Sequence, residues 1–147
     1  MGKKTLLTLA MLSAMALVAV APAFAQSQER VEANIPFAFN VGSTSFPAGH
    51  YEVRPVLTET LVIQNEATEQ AAMALTTSAS PKPISGNAEA TLVFHKYGDR
   101  CFLSEIRTSD NAQALSASKL EREAAKEASE IAGNTPSRDV YVAAFTH

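Results

Sequence analysis

The chain has 147 residues with 12 Lys and Arg, 15 Asp and Glu, one Cys and no Trp, which describes a small, mildly acidic protein of one domain. The acidic excess argues against nucleic acid and anionic lipid as partners, because both select a basic surface. A single cysteine excludes an internal disulfide framework, so stability must come from packing.

The first 25 residues have the pattern of a secretory signal peptide. Two lysines precede an apolar stretch over residues 6–20, and the small residues Ala23 and Ala25 predict cleavage before Gln26. At about 1.5 Å per residue the stretch spans about 22 Å, short of the roughly 30 Å hydrocarbon layer. An uncleaved anchor is the less favoured alternative.

Cleavage leaves a mature chain of 122 residues, 26–147, with 10 basic and 15 acidic groups and a net charge of −5. This length can bury a core of its own, so we predict one β-rich domain. We expect export to the periplasm or the extracellular space, without stable membrane insertion after cleavage.

The mature chain begins with a strand pattern. Apolar side chains occupy every second position from Val31 to Val41, and they alternate with Glu32, Asn34, Pro36, Ala38 and Asn40. Pro36 has no backbone N–H, so we expect this strand at a sheet edge, or with its proline where no partner needs a donor. A β-turn is predicted at residues 46–49, Phe-Pro-Ala-Gly.

Three more short strands follow, around residues 51–54, 61–63 and 71–75, separated by polar turns. The stretch Ser78–Asn87 is rich in Ser, Pro, Gly and Asn and predicts a surface loop.

A hairpin is the clearest local signal. Residues 91–97 and 101–107 enclose Gly98-Asp99, and a two-residue loop would pair His95 with Phe102. His95 and Cys101 then point to opposite faces, which excludes a Cys–His dyad in this register. One predicted face contains Leu92, Phe94, Lys96, Cys101, Leu103 and Glu105, and the other contains Val93, His95, Tyr97, Phe102, Ser104 and Ile106.

A helix is predicted after Ser118, which forms a capping box with Glu121, and it ends at Gly133. Its apolar stripe is mostly alanine, so we expect a peripheral, weakly held helix. The stripe consists of Leu120, Ala124, Ala128 and Ile131.

A last strand is predicted over residues 139–145. Together these elements predict a mainly β protein, an antiparallel β-sandwich or barrel of about seven short strands with one late peripheral α-helix.

Several stretches resemble a family of small uncharacterised exported proteins frequent in the Acidobacteria. The resemblance rests on residues 33–42 (Ala-Asn-Ile-Pro-Phe-Ala-Phe-Asn-Val-Gly) and 46–53 (Phe-Pro-Ala-Gly-His-Tyr-Glu-Val), and on residues 61–63, 92–99, 102–103 and 118–123. It implies an exported β domain and brings no activity, cofactor or catalytic residue.

The residues predict no catalytic group, local metal site or cofactor, because no nucleophile elbow, paired His or phosphate loop is present. A metal site assembled in space from His50, His95 and a carboxylate is the less favoured alternative. A ligand-binding groove lined by Tyr51, Tyr97, Phe102 and His95 is one interpretation, with plain core packing as the favoured alternative. Cys101 is interpreted as a buried strand residue, with an intermolecular disulfide as the alternative.

Two functions remain open on this basis. The first is an exported, non-catalytic interaction module, envelope-associated or extracellular, that could recruit a partner strand at an edge over Val31–Val41. The second is a carrier of a small apolar ligand or sugar in a cavity of the β layers. Oligomeric state is open in both cases.

Overall fold

A computed structural model describes residues 30–80, 84, 87–133 and 137–147. The predicted signal peptide and its cleavage residues, Ala23, Ala25 and Gln26, lie outside the described residues. Within them the chain forms ten strands and one helix. In chain order these are β1 (Val31–Ile35), β2 (Phe39–Val41), β3 (Thr44–Phe46), β4 (Gly49–Leu57), β5 (Thr60–Asn65), β6 (Ala71–Ala79), β7 (Ala90–Tyr97), β8 (Arg100–Thr108), β9 (Ala112–Leu115), α1 (Lys119–Ala132) and β10 (Arg138–Thr146).

Eight of the strands close into an antiparallel barrel. Their order around the wall is β8-β7-β10-β1-β4-β5-β6-β9, and β9 pairs back onto β8. The mainly β fold with one late helix is therefore confirmed, and of the two predicted architectures the barrel is the one adopted. No helix in the described chain has the length and apolarity required to cross a bilayer.

The remaining two strands form a small hairpin attached to the barrel. β2 pairs antiparallel with β3, and it joins the first half of β8 by one parallel bridge between Asn40 and Phe102. Asn40 Nδ2 also donates to the Cys101 carbonyl at 3.2 Å. Phe39, Val41 and Phe46 of this hairpin are buried in the core.

The prediction of which side chains of the first strand face the core is confirmed. The prediction that Val31–Val41 forms one continuous strand is wrong. The chain breaks at Pro36 into β1 and β2, because proline cannot donate to a continuous ladder. β1 is also not an edge strand, since it pairs with β10 on one side and β4 on the other. The hypothesis that this strand recruits a partner strand at a sheet edge is therefore wrong for β1, because both of its edges are already paired.

The β7–β8 hairpin has the predicted register at its tip, where Tyr97 pairs with Arg100 and His95 with Phe102. One correction applies further along. A bulge places Ser104 between the partners of Val93 and Phe94, and the Ser104 hydroxyl donates to the Val93 carbonyl at 3.0 Å. The extra residue exchanges the predicted faces of Glu105 and Ile106, so Ile106 enters the core.

The helix matches its predicted ends. Ser118 accepts a hydrogen bond from the Glu121 N–H at 3.1 Å, and Gly133 ends the helix with a left-handed backbone. The predicted stripe is wrong at Ile131, which is 88% exposed. Ala124 is buried, so the docked face is centred nearer the helix start.

Three further differences concern short elements. β3 and β9 were not predicted, and together with the division of the first strand into β1 and β2 they raise the strand count from about seven to ten. β6 runs to Ala79, so the predicted loop begins two residues later than Ser78. β9 matters for the site, because the point at which it ends determines where β6 and β8 are no longer bridged by a common strand.

Candidate binding site

Tyr51 is separated from the other predicted ligand-binding residues. It lies on the inner face of β4, fully buried, and its hydroxyl donates to the Pro47 carbonyl. Burial raises the pKa of Tyr51, and a hydrogen bond with Asn65 opposes that rise. We call its surroundings the inner cluster, which consists of Phe37, Phe39, Phe46, Tyr51 and Phe94.

The other three predicted residues come together on the opposite face of the wall. His95 and Phe102 are cross-strand partners, and the Tyr97 ring centroid lies 6.3 Å from that of His95 and 6.1 Å from that of Phe102. Helix α1 packs against β7 on this side. We call His95, Tyr97, Phe102 and Glu121 the outer cluster.

Glu121 links the helix to the outer cluster. Its Oε1 lies 2.9 Å from His95 Nδ1, and the residue is only 5% exposed. On the other side of the imidazole, Asp139 Oδ1 lies 3.9 Å from Nε2. The sequence marked Glu121 only as a capping residue, since a contact between positions 26 apart leaves no local pattern.

The polarity of the outer cluster is visible in Tyr97. Burial raises the pKa of Tyr97, and the nearby negative charges of Glu121 and Asp139 raise it further, against a lowering by a hydrogen bond with Ser137. The phenol is therefore held neutral. Such a group can donate a hydrogen bond, but it is a poor base.

Cys101 faces the barrel interior and is 5% exposed. Burial raises the pKa of the Cys101 thiol, with Lys96 opposing the rise. A high pKa and a closed position both reduce thiolate reactivity. Cys101 and His95 point to opposite faces, as predicted.

Beside the outer cluster the barrel wall is only partly closed between β6 and β8, and we call this region the seam. β9 bridges β6 and β8 only at Thr76–Ala79 and Glu105–Arg107. Beyond β9, the first halves of the two strands are not paired with each other in the described chain. The β2–β3 hairpin fills part of this space, and Gln70 Nε2 holds it by donating to the Ser45 carbonyl at 2.9 Å.

The seam contains a cleft of about 190 Å³, which we call the seam cleft. Apolar side chains from β6, β8 and β9 make most of its walls, and Glu121 supplies a carboxylate at one side. The lining residues are Gly42, Met73, Ala74, Leu75, Phe102, Leu103, Leu115, Ser116 and Glu121. Of the sequence-predicted residues, Phe102 alone lines it.

No family model, curated protein or solved structure matches this chain. Among the described residues, no group of three His, Cys, Asp or Glu side chains is placed to hold a metal ion.

The residues that line the seam cleft are mostly apolar, and Glu121 is the acidic residue among them. Such a lining suits binding of an apolar ligand group with a cationic end.

A second, smaller cavity of about 80 Å³ lies within the barrel at its other end. Val31, Val53, Leu61 and Ile106 give it an apolar floor, and Gln113 is among its polar residues. Ligand pockets commonly measure about 300–1,000 Å³. This cavity is too small for a lipid or a sugar without rearrangement of the wall.

An exposed apolar surface adjoins the seam cleft. Leu57, Met73 and Leu75 are 68%, 67% and 73% exposed, and we call them the outer apolar patch. Leu57 of β4 and Leu75 of β6 both pair with Thr60 of β5. The two leucines therefore lie on either side of β5, about 10 Å apart, which is two strand spacings. The sequence showed apolar residues at alternate positions in this strand, but it did not indicate whether the face they form would pack against the core or lie in solvent.

Proposed function

We propose that this chain is an exported, non-catalytic β domain that acts by contact with another protein in the envelope or outside the cell. The observation that carries this proposal is the outer apolar patch beside the seam cleft. Soluble proteins seldom leave contiguous large apolar side chains in water unless that surface meets a partner.

The cavities favour a contact module over a carrier. A carrier needs an enclosed volume, and the seam cleft and the cavity at the end of the barrel, about 190 and 80 Å³, both fall below the range of about 300–1,000 Å³ that is usual for ligand pockets. The inner cluster supports the same conclusion, because its rings fill the interior at centroid distances of 5.0–5.7 Å.

The test compares two double variants of the mature protein in an exporting host. Met73→Lys with Leu75→Lys alters the outer apolar patch, and Ile131→Lys with Phe145→Lys makes the same chemical change at two other exposed apolar residues. After cross-linking in the intact envelope, we expect the first pair to lose a partner that the wild type and the second pair retain. Equal partner recovery with both pairs would refute the proposed surface.

Export is tested on the same material. The predicted cleavage gives a mature chain that begins at Gln26, which intact mass determination detects directly. Recovery of the chain from the cell interior with residues 1–25 still attached would refute the export part of the proposal.

A further inference from the structure

The first half of β6 has a free edge. β5 pairs with Ala71–Leu75 on one side, whereas β9 pairs only with Thr76–Ala79 on the other. The second edge of Ala71–Leu75 has no strand partner in the described chain. Such an edge presents backbone N–H and C=O groups to an incoming strand.

The β2–β3 hairpin reaches the start of this edge, where Gln70 donates to the Ser45 carbonyl, but the residues of the edge itself carry none of the usual sequence protection against pairing. Natural edge strands are commonly blocked by a charged side chain, a proline or a bulge. Residues 71–75 read Ala-Ala-Met-Ala-Leu, without a charge or a proline, and their pairing with β5 is regular. The segment can therefore accept a strand at its outer edge.

The walls of the seam cleft restrict what can reach this edge. Gly42, Ser116 and Glu121 line the cleft together with residues of β6. A strand built into a second barrel brings its neighbouring strands with it, and these would meet those walls. A free extended segment of another protein has no neighbouring strands to collide with the cleft, so the geometry favours such a segment over a second copy of this chain.

The two faces of an added strand would meet different surroundings. Side chains that point inwards would face Ala74, Leu103 and Leu115, which are apolar. Side chains that point outwards would lie on the side of Met73 and Glu121, and the Glu121 side chain is 7% exposed. A carboxylate has about four acceptor positions, of which the bond to His95 takes one.

We propose, on the basis of the proposed function, that the partner supplies an extended segment that adds to the edge of β6 at Ala71–Leu75. Its inward positions carry aliphatic side chains, and one outward position carries Lys or Arg. The aliphatic stem of that residue lies along Met73 and Leu75, and its cationic head pairs with Glu121.

The probe is a capped, fluorescein-labelled peptide, Thr-Val-Lys-Val-Thr, which matches the five positions not paired with β9, titrated against the mature protein by fluorescence anisotropy. Two matched peptides carry Glu in place of the central Lys, or N-methyl groups on the backbone amides of one edge. We expect the Glu peptide to bind at least about tenfold more weakly, the effect of one charged contact. The N-methylated peptide should not bind, because it cannot form the ladder.

Two readouts place the peptide on the molecule. Glu121→Gln should reduce the preference for Lys over Glu to less than about threefold, while Glu130→Gln, on an exposed part of the same helix, should leave it unchanged. Hydrogen exchange of amides in Ala71–Leu75 should slow when the Lys peptide binds.

The inference is overturned by undetectable binding at millimolar peptide, by a Lys preference that survives Glu121→Gln, or by unchanged exchange across Ala71–Leu75. These outcomes are separate from the cross-linking result with the lysine double variants. A partner lost in those variants together with no peptide binding would retain the contact module and reject the added strand.

Discussion

Phe94 and His95 are neighbours in β7, yet they belong to two groups of side chains held together by different interactions. Phe94 is fully buried in the inner cluster, where its ring packs edge-on against Phe37 and Phe39. His95 is in the outer cluster, where it contacts the carboxylate of Glu121. One group is an apolar core, and the other attaches a helix.

The difference indicates how stability and function are divided across this wall. Ring packing in the inner cluster depends on the exclusion of water, so its loss affects the whole barrel. The outer cluster depends on a polar contact to a helix with an alanine-rich face, so its loss affects the helix and the adjoining seam cleft first. Variants on the two faces should therefore fail in different ways.

The largest effect is expected inside. Phe39 is 1% exposed, and its ring centroid lies 5.0–5.4 Å from those of Phe46, Tyr51 and Phe94. Phe39→Ala should lower the free energy of unfolding by about 3–5 kcal/mol, measured by urea denaturation with circular dichroism.

Phe145→Ala is the matched control, because that phenylalanine is 55% exposed. A substitution on an exposed face should change the free energy of unfolding by no more than about 0.5 kcal/mol. Equal losses in Phe39→Ala and Phe145→Ala would contradict the assignment of the inner cluster as the core.

The next effect concerns the helix contact. Glu121→Ala removes the acceptor 2.9 Å from His95 Nδ1, and we expect it to destabilise the protein by about 1–3 kcal/mol. Hydrogen exchange should show the loss mainly in the amides of α1, with the barrel strands still protected. Glu130→Ala, which removes an exposed pair with Lys126 at 4.0 Å, should have little effect.

A double-mutant cycle with His95→Ala identifies the contact. If Glu121 acts through His95, the loss in the double variant is smaller than the sum of the single losses by about 1 kcal/mol. Strict additivity would mean that Glu121 stabilises the helix by some other contact.

Features with a local cause were predictable from the sequence. The two-residue loop Gly98-Asp99 sets the register of β7 and β8, and the pair Ser118 and Gly133 sets the ends of α1. Alternation from Val31 to Val41 identified the core face even though Pro36 divides the strand. Each of these depends on residues only a few positions apart.

Features with a non-local cause were not predictable in this way. β3 and β9 have three and four residues, too few for a clear period of two. The bulge at Ser104 inserts one residue and reverses the alternation after it. The seam cleft depends on where β9 stops along β6, and no single stretch of sequence encodes that position.

A smaller loss is expected at the start of the helix. Ser118→Ala removes the oxygen that accepts from the Glu121 N–H at 3.1 Å, and caps of this kind contribute about 1 kcal/mol. Urea denaturation should show this loss, and Ser129→Ala, an exposed serine on the same helix, should show a few tenths of a kcal/mol at most. A loss at Ser118 no larger than the loss at Ser129 would mean that the cap does not anchor α1.

The smallest effect is a dependence on alkaline pH. Burial and the charges of Glu121 and Asp139 raise the pKa of Tyr97 above 10.0, so the folded state favours the neutral phenol more than the unfolded state does. That contribution to stability is complete below the unfolded pKa and is lost as the pH rises through the folded pKa.

Urea denaturation of the wild type and Tyr97→Phe at pH 9, 10 and 11 isolates this contribution, because titrations elsewhere are common to both proteins. The wild type should lose stability relative to Tyr97→Phe as the pH passes 10, since phenylalanine has no proton to lose. Tyr141→Phe removes the hydroxyl of a tyrosine that is 57% exposed, together with its 3.3 Å hydrogen bond to Asp139, so it measures the effect of disturbing Asp139 while the Tyr97 hydroxyl is kept. A difference between wild type and Tyr97→Phe that stays constant from pH 9 to 11 would place Tyr97 in water, outside the cover of α1, and would remove the electrostatic link between the outer cluster and the helix.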